Sequence, residues 1–388
     1  MNYHIMIDDK FIESFIKIAE EVSPGKNRYI YTFSFPGKYV KNVHGESALY
    51  GSVEFEKIIN GISGDDRVYV HWFNEAVQPY INKLPANVPV YLFLWGGDFL
   101  EQPGNFQEYN LGALTSRYVK HIQRWSEPVR VWNPRSVLAK LNYYLKSSSR
   151  IRRRQEREVK VRKAFLERLN FCCHWNIDDI RRIEEEYAVS IGYRDFFYDL
   201  GLQNIKVDEA ISFKGDKTII WLGNSATYTN NHLEAFDLLK KFAAEEFRLV
   251  APLSYGNENY QRHILRKGKQ LFGNKFDGMQ TFIPLDKYLD LLKEVDAVLM
   301  NHHRSQAGAN TFSFIYMGKK VFLNRRSSVY DLMLRNGVKV FDIESISKLS
   351  FNEFLAPLSI EEKRSNSEII GSLFSEERRR RLLSEILN

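Results

Sequence analysis

The chain has 388 residues, of which 44% are hydrophobic and 14% aromatic, a composition typical of a globular rather than a disordered protein. Its formal net charge is +7, and no apolar run approaches the roughly 18 residues that a membrane-spanning helix needs. The first residues are typical of a strand and not of a secretory signal. The adjacent Cys172 and Cys173 lack the spacing of a zinc site and are expected to be reduced core residues of a cytosolic protein.

The N-terminal half alternates apolar β-branched runs with stretches of helical periodicity, which predicts an α/β domain. The predicted strands are Tyr3–Ile7, Tyr29–Phe35, Arg67–His71, Val88–Leu94 and Phe171–His174. The predicted helices are Phe11–Glu20, Phe55–Ile62 and Ile177–Tyr187.

Two polar residues lie at the ends of these predicted strands. His71 ends the strand Arg67–His71, and Asp98 follows the strand Val88–Leu94 after two glycines. A carboxylate beside residues without side chains can approach a bound ligand closely, so Asp98 is a candidate catalytic group. The alternatives are that Asp98 caps a short helix and that His71 is a satisfied interior histidine.

The segment Arg150–Arg168 contains nine Lys or Arg and three Glu, so it carries +6 of the formal +7. Val161, Phe165 and Leu169 have helical spacing, which predicts a basic helix with an apolar stripe. Such a helix suits an anionic membrane surface. A solvated helix packed on its own domain is the alternative, and a nucleic-acid surface is a weaker one. The residues predicted to meet the membrane are Arg152, Arg153, Arg154, Arg157 and Phe165.

The C-terminal half repeats a strand, a polar loop and a helix several times. The predicted strands are Thr218–Leu222, Arg248–Leu253, Thr281–Ile283, Asp296–Asn301 and Lys320–Asn324. The predicted helices are Leu233–Phe247, one from about Asn259, one from Asp286 and Thr311–Met317. The polar loops follow strands, which is the edge where open parallel sheets bind ligands.

The loop after Thr218–Leu222 is the most informative of these. It begins at Gly223 and is dense in amide and hydroxyl side chains as far as His232, where a helix begins. A strand, a glycine turn and a helix start together expose free backbone N–H groups to an anion. The alternative is that Thr229 or Asn230 merely caps the helix.

Several motifs stand out in this half: residues 222–225 with 231–232, residues 252–255 with 257–258, residues 286–292, residues 304–306, residues 308–311 and residues 323–325. Together they resemble motifs of the bacterial TDP-N-acetylfucosamine:lipid II N-acetylfucosaminyltransferases, glycosyltransferase family 56. In the N-terminal half the likeness is limited to His71 and residues 95–98.

This resemblance implies a GT-B architecture, in which two Rossmann-like domains face each other across a cleft. The predicted parts are an acceptor-side domain at 1–210 with the basic insertion, a nucleotide-sugar domain at 211–350, and C-terminal helices at 351–388 that return toward the first domain. The implied reaction moves a 4-acetamido-4,6-dideoxyhexose from a TDP-sugar to an undecaprenyl-diphosphate-linked saccharide at the cytoplasmic membrane face. The implied partners are that donor, that acceptor and an anionic membrane surface, without nucleic acid and without a cofactor.

The expected donor site uses groups from several strand-end loops. The sequence contains no Asp-x-Asp motif, so backbone N–H groups and arginines, not a metal, are expected to neutralise the diphosphate. The predicted donor-site residues are Gly223, Asn224, Ser225, Asn231, His232, Ser254, Tyr255, Asn257, Arg304, Gln306, Gly308, Thr311, Asn324 and Arg325. If the reaction inverts the anomeric centre, Asp98 is the expected general base and His71 the second choice.

The chain also departs from the family pattern. Ser305 stands where the family has Gln, Arg326 stands where it has Glu, and extra residues separate Asp98 from the Phe171 strand. A glycosyltransferase with another nucleotide sugar or acceptor is therefore one alternative. A non-catalytic protein that holds anionic lipid or nucleic acid through the basic helix is the other.

Overall fold

The computed structural model describes residues 1–101, 109–125, 153–213 and 215–388. The chain forms two compact units. In the part of the chain that the structure describes, unit 1 lies within residues 1–107, 124–199 and 376–388, and unit 2 lies within residues 108–123 and 200–375. Each unit has its own parallel sheet, which confirms the predicted α/β class.

Unit 1 is built on a seven-stranded sheet in the order β3-β2-β1-β4-β5-β6-β7, and every neighbouring pair is parallel. Its strands are β1 Asn2–Met6, β2 Asn27–Tyr31, β3 Glu46–Ser47, β4 Arg67–His71, β5 Val90–Phe93, β6 Phe171–His174 and β7 Gly192–Asp195. Its helices are Ile12–Val22, Val53–Asn60, Gln78–Ile81, 153–168, Ile177–Tyr187 and Glu376–Leu387.

Both faces of this sheet are covered. Val68 and Val70 of β4 belong to one buried cluster, whereas Tyr69 between them belongs to another. Alternate residues of a strand point to opposite faces, so unit 1 has a core on each side of its sheet. The C-terminal helix Glu376–Leu387 adds Leu383 to the second cluster, and the carbonyl of Ile386 accepts a hydrogen bond from the Tyr69 hydroxyl at 3.0 Å.

Unit 2 is built on a six-stranded parallel sheet in the order β10-β9-β8-β11-β12-β13. Its strands are β8 Ile219–Leu222, β9 Arg248–Pro252, β10 Phe276–Met279, β11 Ala297–Met300, β12 Lys320–Leu323 and β13 Phe341–Asp342. Its helices are Ala113–Trp125, which runs to the boundary of the unit, Val207–Ser212, His232–Leu239, Glu258–Phe272, Leu285–Glu294, Gly308–Tyr316, Ser328–Arg335, Phe351–Leu355 and Ile360–Leu373.

Some predicted elements are wrong in detail. The predicted strand Thr281–Ile283 is irregular, and the edge strand is instead Phe276–Met279, which pairs with β9. The predicted helix Leu233–Phe247 ends at Leu239 and continues only as a short 3-10 turn. In both places tertiary pairing and packing override a local apolar pattern.

The unit boundaries differ from the predicted domains 1–210, 211–350 and 351–388. The long segment of unit 2 begins at Leu200 and includes residues 351–375. Unit 2 also includes the beginning of the predicted insertion, because the backbone N–H of Thr115 donates to Glu234 at 2.9 Å and its hydroxyl donates to the same carboxylate at 2.6 Å. Of the predicted C-terminal part 351–388, only the helix from Glu376 belongs to unit 1.

Candidate functional site

The loop after β8 begins with a backbone reversal that only glycine adopts without strain. Gly223 has φ +67°, and a Cβ at this position would overlap the side-chain oxygen of Asn230. The Trp221 indole donates to the Gly223 carbonyl at 2.8 Å and holds the turn from the strand side. The turn therefore brings the remainder of the loop back against the strand end.

Asn230 is the centre of this loop. Its Oδ1 accepts the Asn224 N–H at 2.8 Å and faces His302 Nε2 at 3.0 Å, while its Nδ2 donates to Thr227 Oγ1 at 2.8 Å and to Ser225 Oγ at 3.1 Å. Asn230 is fully buried, so these bonds replace water entirely. The alternative that Thr229 or Asn230 caps the helix is wrong, because the helix begins at His232 after Asn231 with no side-chain cap.

Asn224 and Gln306 connect the loops that follow β8, β9 and β11. The Asn224 Oδ1 faces His302 Nε2 at 3.2 Å and accepts from Gln306 Nε2 at 3.1 Å, and its Nδ2 donates to the Tyr255 hydroxyl at 2.8 Å. Thr229 Oγ1 also donates to Gln306 Oε1 at 2.6 Å. The three loops therefore form one polar surface at the carboxyl edge of the sheet.

Asn231 adds a fourth segment to this edge. It has φ +48°, and its Nδ2 donates to the Asn301 carbonyl at 3.0 Å and to the Asn110 carbonyl at 3.1 Å. Its Oδ1 accepts the Gly112 N–H at 2.8 Å. Asn324, after β12, donates to Asn301 Oδ1 at 2.8 Å, so Asn301 links Asn231 and Asn324 at this edge.

Three histidines of this edge are buried and neutral. Burial lowers the pKa of His232 to about 3 and that of His303 to about 4, and it lowers the pKa of His302 with a further contribution from Arg304. His232 lies beside Gly223, and no hydrogen-bond partner reaches its Nε2 among the residues that the structure describes. These rings act as dipolar groups, and the positive charge comes from arginine.

Arg304 supplies that charge from a buried position. It is 6% exposed, and its Nη1 donates to the Ser305 carbonyl at 2.6 Å. Ser305 itself bonds to the Ser328 hydroxyl at 2.9 Å, so the loop after β11 is fixed against the start of the helix Ser328–Arg335. A guanidinium held in this way is pre-oriented for an anion.

A helix amino terminus lies in the same loop. Ala307 has φ +55°, and the helix Gly308–Tyr316 begins after it without a side-chain cap. The first-turn N–H groups of a helix have no intrahelical acceptor and carry a partial positive charge. Gln306, Gly308 and the buried Thr311 are therefore placed around a natural anion site.

Other predicted donor-site residues have structural contacts of their own. Arg325 pairs with Asp342 at 2.8 Å and is 70% exposed. Asn257 caps the helix Glu258–Phe272 by accepting the Tyr260 N–H at 3.0 Å, while Ser254 is only partly exposed. Arg326, which replaces a family carboxylate, lies 4.6 Å from the Tyr109 ring centroid.

In unit 1 both candidate catalytic residues are interior. His71 is fully buried, and its ring nitrogens face His4 at 3.1 Å and the Tyr198 hydroxyl at 2.6 Å. Burial lowers its pKa well below the usual value, followed by the effect of His4. This is the satisfied interior histidine of the alternative interpretation, and both nitrogens are already in use.

Asp98 is 1% exposed, and its carboxylate accepts the Phe73 and Trp95 N–H groups, each at 3.3 Å. Burial raises its pKa to about 6 in spite of these hydrogen bonds. The Arg162 guanidinium donates to the Asp98 carbonyl and lies over the Phe73 and Phe99 rings, at 5.0 and 5.3 Å from their centroids. Asp98 is thus a desolvated carboxylate with long hydrogen bonds at a strand end.

The basic segment forms the expected helix, but its apolar stripe does not face solvent. Residues 153–168 are helical, but Phe165 is fully buried and Leu169 nearly so in the core of unit 1. Their burial corrects the expectation that the stripe enters lipid. Arg153, Arg154 and Arg157 are exposed, although Arg154 pairs with Glu158 at 2.7 Å. Arg152 lies outside the described residues.

Solved structures share this two-unit architecture. A glycosyltransferase from Rickettsia africae ESF-5 is 11% identical, with a TM-score of 0.62 and coverage of 100% of this chain and 97% of that one. The sucrose-phosphate synthase of Thermosynechococcus elongatus is 10% identical, with a TM-score of 0.65 and coverage of 99% and 97%. A trehalose-6-phosphate structure from E. coli with UDP-2-fluoro glucose is 8% identical, with a TM-score of 0.60 and coverage of 100% and 98%. At these identities the likeness establishes the fold alone, which is GT-B.

The family match adds the activity class. The family of the 4-alpha-L-fucosyltransferases, glycosyl transferase group 56, matches residues 182–361, a range that includes the loops after β8, β9, β11 and β12. It confirms the resemblance identified from the sequence motifs. The chain is a glycosyltransferase of the GT-B fold, which implies a nucleotide-sugar donor and an acceptor.

Proposed function

We propose that the chain transfers a 4-acetamido-4,6-dideoxyhexose from a TDP-sugar to an undecaprenyl-diphosphate-linked saccharide, at the cytoplasmic face of the cell membrane. The observation that carries the donor side of this proposal is the joined polar edge of unit 2. Asn224, Asn230 and Gln306 fix three strand-end loops to one another, beside Arg304 and the uncapped helix start at Gly308. Sugar identity and acceptor follow from the family resemblance.

Departure of the diphosphate is the step that this edge would assist. As the sugar–oxygen bond breaks, negative charge grows on the leaving phosphate, and fixed donors lower the energy of that charge most when they need no reorganisation. Arg304 supplies a full positive charge, and the first turn of Gly308–Tyr316 supplies backbone N–H groups. No group of three or more metal-ligating side chains occurs in the described ranges, and we propose a metal-independent reaction.

We propose Asp98 as the general base of an inverting reaction. A pKa raised to about 6 by burial suits a group that is ionised at neutral pH and still accepts a proton readily. His71 is a weaker choice, because His4 and Tyr198 occupy both of its ring nitrogens. The proposal therefore assigns donor binding to unit 2 and proton acceptance to unit 1.

Membrane association is proposed as electrostatic and peripheral. Within residues 1–101, 109–125, 153–213 and 215–388, no helix is both long and apolar enough to cross a bilayer. Since Phe165 is buried, the proposed attraction rests on the exposed Arg153, Arg154 and Arg157. Basic residues near an anionic lipid surface contribute about 1 kcal/mol each.

Isothermal titration with TDP tests the donor assignment. The double change Asn224→Ala with Ser225→Ala is expected to weaken TDP binding at least tenfold, because it removes the link between three loops. A matched control, Ser350→Ala with Asn352→Ala, removes a helix cap and an exposed amide elsewhere in unit 2 and should leave TDP affinity unchanged. Unchanged affinity in the Asn224 variant would limit the loop to a structural role. Binding of UDP or ADP in preference to TDP would instead support a transferase with another donor.

A further inference from the structure

Two exposed aromatic rings lie beside the polar edge of unit 2. Tyr255 is 49% exposed and Phe282 is 76% exposed, and their rings are almost parallel, with an interplanar angle of 6° and 6.1 Å between centroids. Tyr255 follows β9, and Phe282 follows β10. Large aromatic side chains are normally buried, so a parallel pair left in solvent at a ligand-binding edge requires an explanation.

Tyr255 is held rigidly by the loop after β8. Ala226 N–H donates to the Tyr255 carbonyl at 2.7 Å, and Asn257 N–H donates to the Ala226 carbonyl at 2.9 Å. Gly256 has φ +120°, and a Cβ there would lie 2.5 Å from the carbonyl carbon of Ala226, so only glycine permits this approach. The two loops are thereby joined as if they were a short extension of the sheet.

The side chain of Tyr255 is fixed as well. Its hydroxyl accepts the Asn224 Nδ2 hydrogen bond at 2.8 Å, and Asn224 in turn contacts Gln306 and His302. The ring is therefore tied directly to the residues proposed to hold the donor. A side chain ordered before binding loses little conformational entropy when a ligand stacks on it.

We propose that Tyr255 and Phe282 form the platform for the pyrimidine base of the nucleotide-sugar donor. This inference rests on the proposed function and specifies which part of the donor the loops after β9 and β10 recognise. A planar base matches two nearly parallel exposed rings, and stacking on aromatic side chains does not require a particular hydrogen-bond pattern. The polar groups linked to the platform through Asn224 then meet the diphosphate.

The size of the patch favours a small planar ligand over a protein partner. A stable protein interface buries about 800 Å² on each partner, whereas a single aromatic side chain buries about 150–250 Å². Two rings supply too little area for such an interface. A nucleobase needs no more surface than this pair offers.

Titration of Phe282→Ala with TDP and with inorganic pyrophosphate tests the platform. Loss of one stacking face is expected to raise the Kd for TDP about tenfold, while the Kd for pyrophosphate, which has no base, stays within twofold. Phe282→Tyr keeps a flat ring and should retain TDP affinity. Phe213→Ala, which removes another exposed aromatic side chain of unit 2, is the matched control and should change neither value.

The outcomes separate this inference from the proposed function. If the wild type binds TDP and Phe282→Ala leaves its Kd unchanged, the platform is overturned and the TDP assignment stands. An equal loss of TDP and pyrophosphate affinity would also overturn the platform, because the effect would then fall on the diphosphate. If the wild type prefers UDP and Phe282→Ala weakens that binding selectively, the platform is supported and the TDP assignment is overturned. A wild type that binds no nucleoside diphosphate overturns both.

Discussion

The carboxyl edges of the two sheets use polar residues in different ways. In unit 1, His71 and Asp98 are enclosed by the protein, and the His71 ring stacks on Phe93 at 4.5 Å between ring centroids. In unit 2, the polar residues form a continuous amide and hydroxyl network that is linked through Asn224 to the exposed Tyr255. The two edges therefore differ in accessibility: the neighbours of Asp98 desolvate its carboxylate, whereas the polar network of unit 2 reaches solvent at Tyr255.

Backbone geometry explains part of this difference. In unit 2, residues with left-handed backbone torsions, Gly223, Asn231 and Ala307, turn the chain at the starts of the loops and helices of the site. Each turn brings side-chain amides against main-chain groups of another loop. In unit 1, Trp72 has φ +73° directly after β4, its half-buried ring packs edge-on against the half-buried Trp95, and the following Phe73 is buried. The same kind of turn thus joins polar loops in unit 2 and brings aromatic side chains together in unit 1.

The largest expected effect follows from breaking the first turn of unit 2. Gly223→Ala should abolish measurable TDP binding and lower turnover by at least about 100-fold, because the new Cβ would displace Asn230 from the centre of the network. The measurements are titration with TDP and sugar transfer at the donor concentration that saturates the wild type. Gly25→Ala is the matched control, since Gly25 has φ +68° and a Cβ added there would meet no atom within 4 Å. If both variants lost TDP binding and turnover to a similar extent, backbone strain and not displacement of Asn230 would be the cause.

The second prediction tests whether Asp98 is more than a buried structural carboxylate. Asp98→Asn should lower turnover by roughly 100-fold, within the usual range for a lost general base, and leave TDP affinity unchanged. Asp296→Asn is the control, because Asp296 also accepts a backbone N–H, from Ile219 at 2.8 Å, but it is exposed and precedes β11 at the amino edge of the unit 2 sheet. Near-normal turnover of Asp98→Asn would give the residue a purely structural role.

The third prediction concerns stability and pH. Burial raises the pKa of Asp98 from 3.8 to about 6, so between these values the folded protein binds more protons than the unfolded chain. The free energy of unfolding must then fall as pH rises through this window and level off above it. The free energy of unfolding of the wild type, measured by urea denaturation, should fall by on the order of 3 kcal/mol between about pH 4 and pH 7 relative to that of Asp98→Asn. Parallel pH profiles of the two proteins would contradict the raised pKa.

The sequence predicted the architecture of both units because strand and helix periodicities are local signals. Continuous apolar runs predict the buried strands β8, Ile-Ile-Trp-Leu, and β11, Ala-Val-Leu-Met. By contrast, β7 has the sequence Gly-Tyr-Arg-Asp and is only partly buried at the sheet edge, so it carries no apolar signal. Edge elements of this kind depend on pairing rather than on composition.

The site was predicted less completely because its hydrogen bonds join distant residues. The loop residues Asn224, Asn231, Arg304 and Gln306 were predicted from strand-end loops and from the family resemblance, but Asn230 was considered only as an alternative helix cap. The contributions of Asn110 and Gly112 come from positions 121 and 119 residues before Asn231 in the sequence. The burial of Phe165 was missed for a related reason, since periodicity identifies an apolar face without showing what covers it.

The fourth prediction concerns the remaining exposed charge of the basic helix. Replacement of Arg153, Arg154 and Arg157 by Gln should lower partition onto anionic liposomes by more than about tenfold and preserve transfer to a short soluble acceptor. The control replaces three other exposed basic residues of unit 1 by Gln and removes the same charge: Lys26, Lys41 and Lys57. Binding of the wild type should weaken with added sodium chloride, since the Debye length is about 8 Å at physiological ionic strength. If partition onto the liposomes depended neither on salt nor on the three arginines, the attachment would not be electrostatic.

The smallest expected effect is that of chelation. If Arg304 and the N–H groups at the start of Gly308–Tyr316 carry the charge of the leaving diphosphate, transfer in EDTA should stay within about twofold of the untreated rate. Arg304→Lys sharpens the comparison, because lysine keeps the charge but loses the planar fork that fits a phosphate. Its turnover should fall about tenfold, and added magnesium should not restore it. Loss of activity in EDTA that manganese or magnesium reverses would show that the polar edge of unit 2 works with a metal, and Arg304 would then be an auxiliary rather than the main positive charge.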